Sequence, residues 1–363
     1  MLGATRTGPI GLDFGTEKLK MVQADFTRTG PCVRSAVTLS YPVDRDIFYA
    51  SPSELKRLIN EARHQGAFRS SRVAVSMPPD KVQFISLEYK CTPGTDPDVA
   101  VIDAIRERFG EQIGNSVIDY LHIRPEHKDQ VDRTALIAVA GKQEVIDFLE
   151  FLRMAGLKVE RLEIGPVAIN RLISAMNPGQ TDKVVLAINF GLERSYATVL
   201  WGRRLLLDRA LSFGLYGGVR QVAEALEIRE KEATQLLERH GVQVESHAIA
   251  GMDDEEPGIE ETLSDILQPS LVTLASEIKR LMLYVASRTR GRSVHSAWIF
   301  GSLAGWPGID EKLAEMTGLP LKVCKPFYGL ATSHQAASIK DLSTLRGIAV
   351  ATGLSLIGSQ TNA

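Results

Sequence analysis

Ile10-Gly11-Leu12-Asp13-Phe14-Gly15-Thr16-Glu17-Lys18-Leu19-Lys20-Met21-Val22 reads as a buried strand, a tight turn and a second strand. Asp13 closes the first strand. Gly15 falls where the turn needs either a positive φ or a backbone with no Cβ in the way. Thr16 adds a hydroxyl and a backbone N–H, and Lys20 adds a cation. Such a turn can wrap N–H groups around a phosphate and set a carboxylate near its metal ion. It can equally be a plain hairpin in which Gly15 serves the turn and Lys20 is solvated.

The same plan returns in Ala187-Ile188-Asn189-Phe190-Gly191-Leu192-Glu193-Arg194-Ser195-Tyr196-Ala197-Thr198-Val199. Both copies run apolar strand, Asp or Asn, Phe, Gly, any residue, Glu, Lys or Arg, then strand, and an internal repeat decides the architecture before any single motif does. A second pair points the same way. Ala135–Gly141 leads into a helix, Ala155-Gly156-Leu157 and the strand Lys158–Leu162. Ala297–Gly301 leads into a helix, Thr317-Gly318-Leu319-Pro320 and the strand Leu321–Val323. The reading is two related α/β halves whose hairpins face each other across a cleft.

That arrangement resembles the actin-like superfamily of nucleotide-binding proteins. Within it the chain is most similar to the PilM family of type IV pilus assembly proteins, relatives of the cell-division protein FtsA. The carriers are the two hairpins, Ala155-Gly156-Leu157, the helix with Glu277-Ile278-Lys279-Arg280, the Gly301 turn with Pro307-Gly308-Ile309, and Gly347–Leu354. The resemblance implies an α/β, two-domain actin-like (ribonuclease-H-like) fold, duplicated, with small inserted subdomains. The expected division is 1–165, with an insert at about 84–160, and 166–363, with a small subdomain at about 214–268.

Composition bounds the rest. The chain has 363 residues, enough for two domains, and a net charge of −2 from 42 basic and 44 acidic residues. No basic stripe marks a nucleic-acid partner. Three cysteines (Cys32, Cys91, Cys324) without C-x-x-C spacing fit a reducing compartment and no cysteine metal site. The seven histidines show no H-E-x-x-H spacing, and there is no G-x-S-x-G elbow. Residues 1–9 lack a signal-peptide apolar core, and no run approaches the ~20 apolar residues of a membrane span. The expectation is a cytoplasmic protein without direct membrane insertion, brought to the inner membrane by a partner. The acidic run Asp253–Glu256 reads as a solvated loop.

What the resemblance implies about the site is specific. Asp13 holds the water shell of Mg²⁺, Thr16 contacts phosphate, Lys20 neutralises charge, and Gly15 and Gly191 shape the two loops around ATP. The helix carrying Glu277 and Arg280 lines the adenosine pocket, its acid on the ribose; the plainer reading is a surface ion pair. Gly301, with Ser302, lets the backbone approach the adenine.

Two positions depart from active members. Asn189 stands where Asp is usual and brings no charge to Mg²⁺. Gly165 precedes Pro166 where an acidic residue orients water; Glu163, two residues earlier, is a candidate substitute. Phosphoryl transfer rests on positioning and charge neutralisation, so these losses cut hydrolysis more than binding. The functional expectation is a cytoplasmic scaffold of a type IV pilus or type II secretion-type machine. It binds the cytoplasmic tail of a PilN-like inner-membrane protein beside the insert, with self-association as a further property of such folds. The alternative is an ATP-hydrolysing filament or cell-division-type protein. A small-molecule kinase would need a catalytic base, and only Asp13 offers one.

Overall fold

The computed structural model describes residues 6–123, 131–176, 179, 182–202, 204–242, 258–289, 291–325, 327–337, 345 and 347–358. The acidic run Asp253–Glu256 lies outside them. The chain opens with β1 (Arg6–Phe14), β2 (Lys18–Thr27), β3 (Gly30–Ser40), α1 (Arg45–Tyr49), α2 (Pro52–Gln65) and β4 (Arg72–Ser76). It continues through β5 (Val82–Lys90), α3 (Pro97–Phe109), β6 (Ser116–Ile123), β7 (Asp132–Gly141), α4 (Lys142–Met154), β8 (Lys158–Glu163) and α5 (Gly165–Met176). Next come β9 (Val184–Phe190), β10 (Ser195–Trp201), β11 (Arg204–Leu211), α6 (Leu215–Ala225), α7 (Glu230–His240) and α8 (Ile259–Arg288). The last elements are β12 (Val294–Gly301), α9 (Ile309–Thr317), β13 (Leu321–Val323), β14 (Ala331–Thr332), α10 (His334–Ala337) and α11 (Ala349–Ser355).

Two sheets repeat one topology. The first runs β3-β2-β1-β4-β8, extended beyond β3 by β14, and the second runs β11-β10-β9-β12-β13. Their central strands are buried on both faces because both are covered, with Ile10, Leu12 and Phe14 in one core and Leu186, Ile188 and Phe190 in the other. The hairpins match in register. Asp13 lies opposite Lys20 and Phe14 opposite Leu19; Asn189 lies opposite Tyr196 and Phe190 opposite Ser195. The duplication expected from the two motifs is therefore present residue by residue.

Helices α2 and α4 cover one face of the first sheet through Leu55, Leu58, Ile59, Phe148 and Leu152. Helices α8 and α9 cover the corresponding face of the second through Leu274, Ile278, Leu281 and Leu313. The remaining faces are covered crosswise. Helix α5, which follows the first sheet's last strand, packs on β10 and β11, and α11, at the chain's end, packs on β1, β2 and β4. The two helices also lie against each other. The expected division at 165/166 is therefore exchanged at its ends, since β14 and α11 belong with the first sheet.

Other expectations move as well. β7 is not the counterpart of β12. It is the middle strand of a separate sheet, β5-β7-β6, covered by α3, and the strand parallel to β1 is β4. The unit expected at 84–160 divides at Gly141. Beyond it, Phe148 of α4 meets Phe14 edge-on and Phe151 meets it tilted, and β8 hydrogen-bonds to β4. The long helix expected from Leu271 begins at Ile259, and the helix expected at Gly217 begins at Leu215.

The crossed helices depend on glycine. A Cβ at Gly353 of α11 would sit 2.0 Å from the Ala168 carbonyl oxygen of α5, and one at Gly11 of β1 would sit 2.0 Å from that of Ala351. Gly353→Ala is expected to cost at least about 1–3 kcal/mol, as overpacking against backbone does, read as a lower urea midpoint at unchanged slope.

Candidate functional site

The C-terminal ends of β1 and β9, the starts of α5 and α11, and helices α6 and α7 enclose a cleft of about 920 Å³. The first hairpin supplies Asp13, Gly15, Thr16 and Lys20, all on its wall. Asp13 is buried. Its Oδ2 accepts from Lys20 Nζ at 3.3 Å and its Oδ1 from the Ser76 hydroxyl at 3.2 Å. Gly15 N–H donates to the Lys18 carbonyl at 3.0 Å, and the Tyr41 hydroxyl donates to the Gly15 carbonyl at 3.0 Å. Burial drives the Tyr41 phenol well above its ordinary range, so it stays a donor. Gly15 is needed for space rather than for a left-handed φ. A Cβ would lie 3.1 Å from both the Lys18 carbonyl oxygen and Lys20 Nζ.

The second hairpin supplies Asn189 and Gly191, with Glu193 and Arg194 at the mouth. A Cβ at Gly191 would meet the Arg194 carbonyl oxygen at 2.3 Å. Unlike the first loop, this one is bound into the start of α6. The Leu215 and Tyr216 N–H groups donate to the Gly191 and Leu192 carbonyls at 3.2 and 2.9 Å. Tyr216 also reaches across the mouth, its hydroxyl donating to Glu17 of the first hairpin. Where the first hairpin sets Lys20 opposite its acid, the second sets Tyr196 opposite Asn189, so the cation is not repeated.

Gly301 and Ser302 lie on the wall between the halves. Gly301 has φ +90°, its absent Cβ would meet the Phe190 carbonyl oxygen at 2.1 Å, and the Ser302 hydroxyl donates to that oxygen at 3.0 Å. Glu277 and Arg280 are not brought to the cleft. Glu277 accepts from the Ser212 N–H at 3.0 Å, and Arg280 is exposed on the outer side of α8. Helix α7 instead brings an acid to the lining, where Thr234 and Glu238, one turn apart, join Val219 and Trp306. Their i, i+4 spacing beside inward-facing Ala233 and Leu237 is the signal that locates them.

Gly165 lines the floor, and its missing Cβ would find only Val350 Cγ2, at 3.8 Å. Glu163 does not substitute for an acid there. It is held by Arg171 Nη2 at 2.8 and 2.9 Å, and Arg171 Nη1 donates to the Gly353 carbonyl at 3.0 Å. The start of α5 presents its positive helix end to the floor; Pro166 has no N–H, and those of Val167 and Ala168 donate to the Ile164 carbonyl at 3.1 and 3.4 Å.

The lining carries Asp13, Glu17, Asp80, Glu193, Asp208 and Glu238 against Lys18, Lys20, Arg45 and Arg194, an excess of acid. Among the described residues no three acidic, histidine or cysteine side chains cluster to hold a metal. With both Asp13 oxygens occupied, the residues fit a cation that arrives with phosphates and meets Asp13 through water, not one held by protein alone. The glycine cradles and the α5 start fit the phosphates.

A sequence model of the type IV pilus assembly protein PilM family matches residues 11–359. The chain belongs to the PilM family. Among solved structures, a PilM–PilN type IV pilus biogenesis complex matches with TM-score 0.74 and 21% identity, covering 96% of this chain and 98% of that one. The ethanolamine utilization protein EutJ from Carboxydothermus hydrogenoformans matches at 0.54 and 12%, covering 99% and 92%. MreB5 of Spiroplasma citri bound to ADP matches at 0.51 and 11%, covering 96% and 94%. The fold is actin-like. No curated protein matches the chain.

Asp208 on β11 escapes motif reading altogether. It is buried on the cleft wall, accepts from the Thr198 hydroxyl at 2.5 Å, and burial pushes its carboxyl up to about 7. The folded state thus binds this proton more tightly than the unfolded chain. Its destabilising effect is absent below about pH 4 and complete above about pH 7. Asp208→Asn, which keeps an acceptor for Thr198, is expected to raise stability at pH 8 by up to about 4 kcal/mol and to leave it unchanged near pH 3.5. Urea titrations at the two pH values check this.

Proposed function

We propose that the chain is an actin-like scaffold of a type IV pilus-type assembly machine. It holds ATP with Mg²⁺ in the cleft, turns it over weakly or not at all, and binds the cytoplasmic tail of an inner-membrane partner beside the inserted sheet. Family membership and a relative solved with PilN support the partner, and a relative solved with ADP supports the nucleotide. The observation that carries the reading is the asymmetry of the hairpins: Asp13 and Lys20 in one, Asn189 and Tyr196 in the other.

In this reading Lys20, Thr16 and the Gly15 backbone hold the phosphates, Asp13 orients the ion's water, and Val219, Thr234, Glu238 and Trp306 receive the nucleoside. Bound Mg²⁺ would offset the acid excess of the lining. Hydrolysis further needs a group that orients the attacking water, and Gly165 and Asn189 leave both acidic positions empty. Nucleotide then acts by binding, favouring the closed cleft in proportion to its affinity for that state. Among the described residues no helix is long and apolar enough to cross a membrane, so the tail of the partner supplies the attachment.

Two linked measurements test this. Magnesium-dependent phosphate release by the wild type is expected near background, and Asn189→Asp with Gly165→Glu is expected to raise it at least about tenfold. The open space at Gly165 admits the new side chain. Affinity purification of the chain from its native cells is expected to bring down an inner-membrane protein with a short cytoplasmic segment. Sustained turnover by the wild type would favour the filament-ATPase alternative, and no envelope protein in the eluate would contradict the scaffold.

A further inference from the structure

The molecule is electrically polarised. The cleft lies at the C-terminal ends of β1 and β9, with the acid excess described above. The opposite end, where the parallel strands begin and the β2–β3 and β10–β11 turns lie, is basic.

In the first sheet, Arg6, Arg72 and Lys158 stand at the starts of β1, β4 and β8, and Arg28 occupies the β2–β3 turn; all four are exposed. Arg72 and Lys158 lie opposite each other in register. In the second sheet, Lys183 precedes β9, Arg292 precedes β12 and Arg204 starts β11. The carboxylates at this end are already committed: Glu160 to Arg72 at 3.4 Å, Asp182 to Arg292 at 3.3 Å, and buried Asp25 to Arg34. Arg6, Arg28, Lys158, Lys183 and Arg204 remain as excess positive charge in a chain whose net charge is −2.

Both halves hold their arginines on aromatic rings. Arg6 lies over Phe26 at 5.4 Å. Trp201 is sandwiched between Arg204 at 5.3 Å and Arg292 at 4.6 Å, with its indole N–H directed to Asp182 at 3.4 Å. Stacking fixes each guanidinium plane and orients its edge N–H donors, which suit phosphate oxygens where a carboxylate does not already hold them, as Asp182 holds Arg292 Nη1 at 3.3 Å.

We infer that this basic end is a docking face for an anionic membrane surface, contacting phospholipid headgroups without inserting. The alternative polyanion, nucleic acid, fits less well. The Trp201 ring already carries two arginines, which compete with any base that would stack on it. The cations also come from separate strand starts on two sheets rather than from one helix or groove. A lipid leaflet offers mobile phosphates over a wide area and demands no register. The inference goes beyond the scaffold reading, because it concerns the end of the molecule opposite the cleft and stands if that reading fails.

The test is flotation of the full-length chain with phosphatidylcholine vesicles, with and without about one-third phosphatidylglycerol, at about 0.05 M and 0.5 M salt. Binding is expected only with the anionic lipid and only at low salt. The triple variant Arg28→Glu/Lys158→Glu/Lys183→Glu is expected to bind about a hundredfold more weakly, at roughly fivefold per basic group. Its melting temperature should be unchanged, since all three side chains are exposed. The control Lys56→Glu/Lys231→Glu/Lys279→Glu, equal in charge change but placed elsewhere, is expected to bind as wild type. Absence of anionic-vesicle binding by the wild type, or equal loss in the control, would overturn the inference. So would tighter binding to a duplex DNA than to the vesicles, which would assign the face to nucleic acid.

Discussion

The structure depends on one close approach, the crossing of α5 and α11. Helix α5 follows the first sheet's β8 and covers the second sheet, α11 at the chain's end covers the first, and they meet where Gly353 lies against the Ala168 carbonyl. Any side chain at that glycine would push the helices apart, and with them the two sheets. The consequence for the site is direct. Gly165 and Pro166 at the start of α5 and Val350 near the start of α11 form the cleft floor. A Cβ at Gly347, whose φ is +80°, would lie 3.3 Å from Lys20 Nζ and 3.6 Å from the Gly301 Cα. The geometry around the two hairpin loops is thus set by a packing constraint deep in the core. Arg171 ties the same crossing together by joining Glu163 to the Gly353 carbonyl.

On this frame the two hairpins have diverged in charge while keeping shape. The first retains a buried acid with a cation across the ladder; the second keeps the register and loses both charges. Its loop carbonyls serve α6 instead of standing free. In the proposed reading, such a cleft positions phosphates from one side and lacks, on the other, the acidic groups that hydrolysis needs. The Glu17–Tyr216 contact at the mouth joins the halves.

Much of this was legible in the sequence because it is local. A hairpin carries its turn glycine, its terminal acid and its strand pattern within a dozen or so residues, so finding it twice revealed the duplication. Pairing partners are not local. Both β4 and β7 are apolar strands, and β7 happens to lead directly into α4, so the strand–glycine–helix pattern selected the wrong one. The stripe Leu274, Ile278, Leu281, Val285 correctly gave the buried side of α8, but not which flank meets the cleft; Glu277 turned out to cap Ser212. Asp208 sits in Leu-Leu-Leu-Asp-Arg-Ala-Leu, where alternation gives no hint that the acid is buried beside Thr198. The basic end was invisible for another reason. Its residues are dispersed over the chain and converge only because parallel strands all begin on one side.

The measurement that bears most directly on the account is a thermal melt of nucleotide-free protein with and without Mg²⁺-ATP, paired with Asp13→Ala. Ligand at about a hundredfold over its dissociation constant adds about 2.7 kcal/mol, a shift of several degrees. The account predicts that shift in the wild type and its loss in the variant. An unchanged wild-type melt, or a shift that survives without the Asp13 carboxylate, would contradict it.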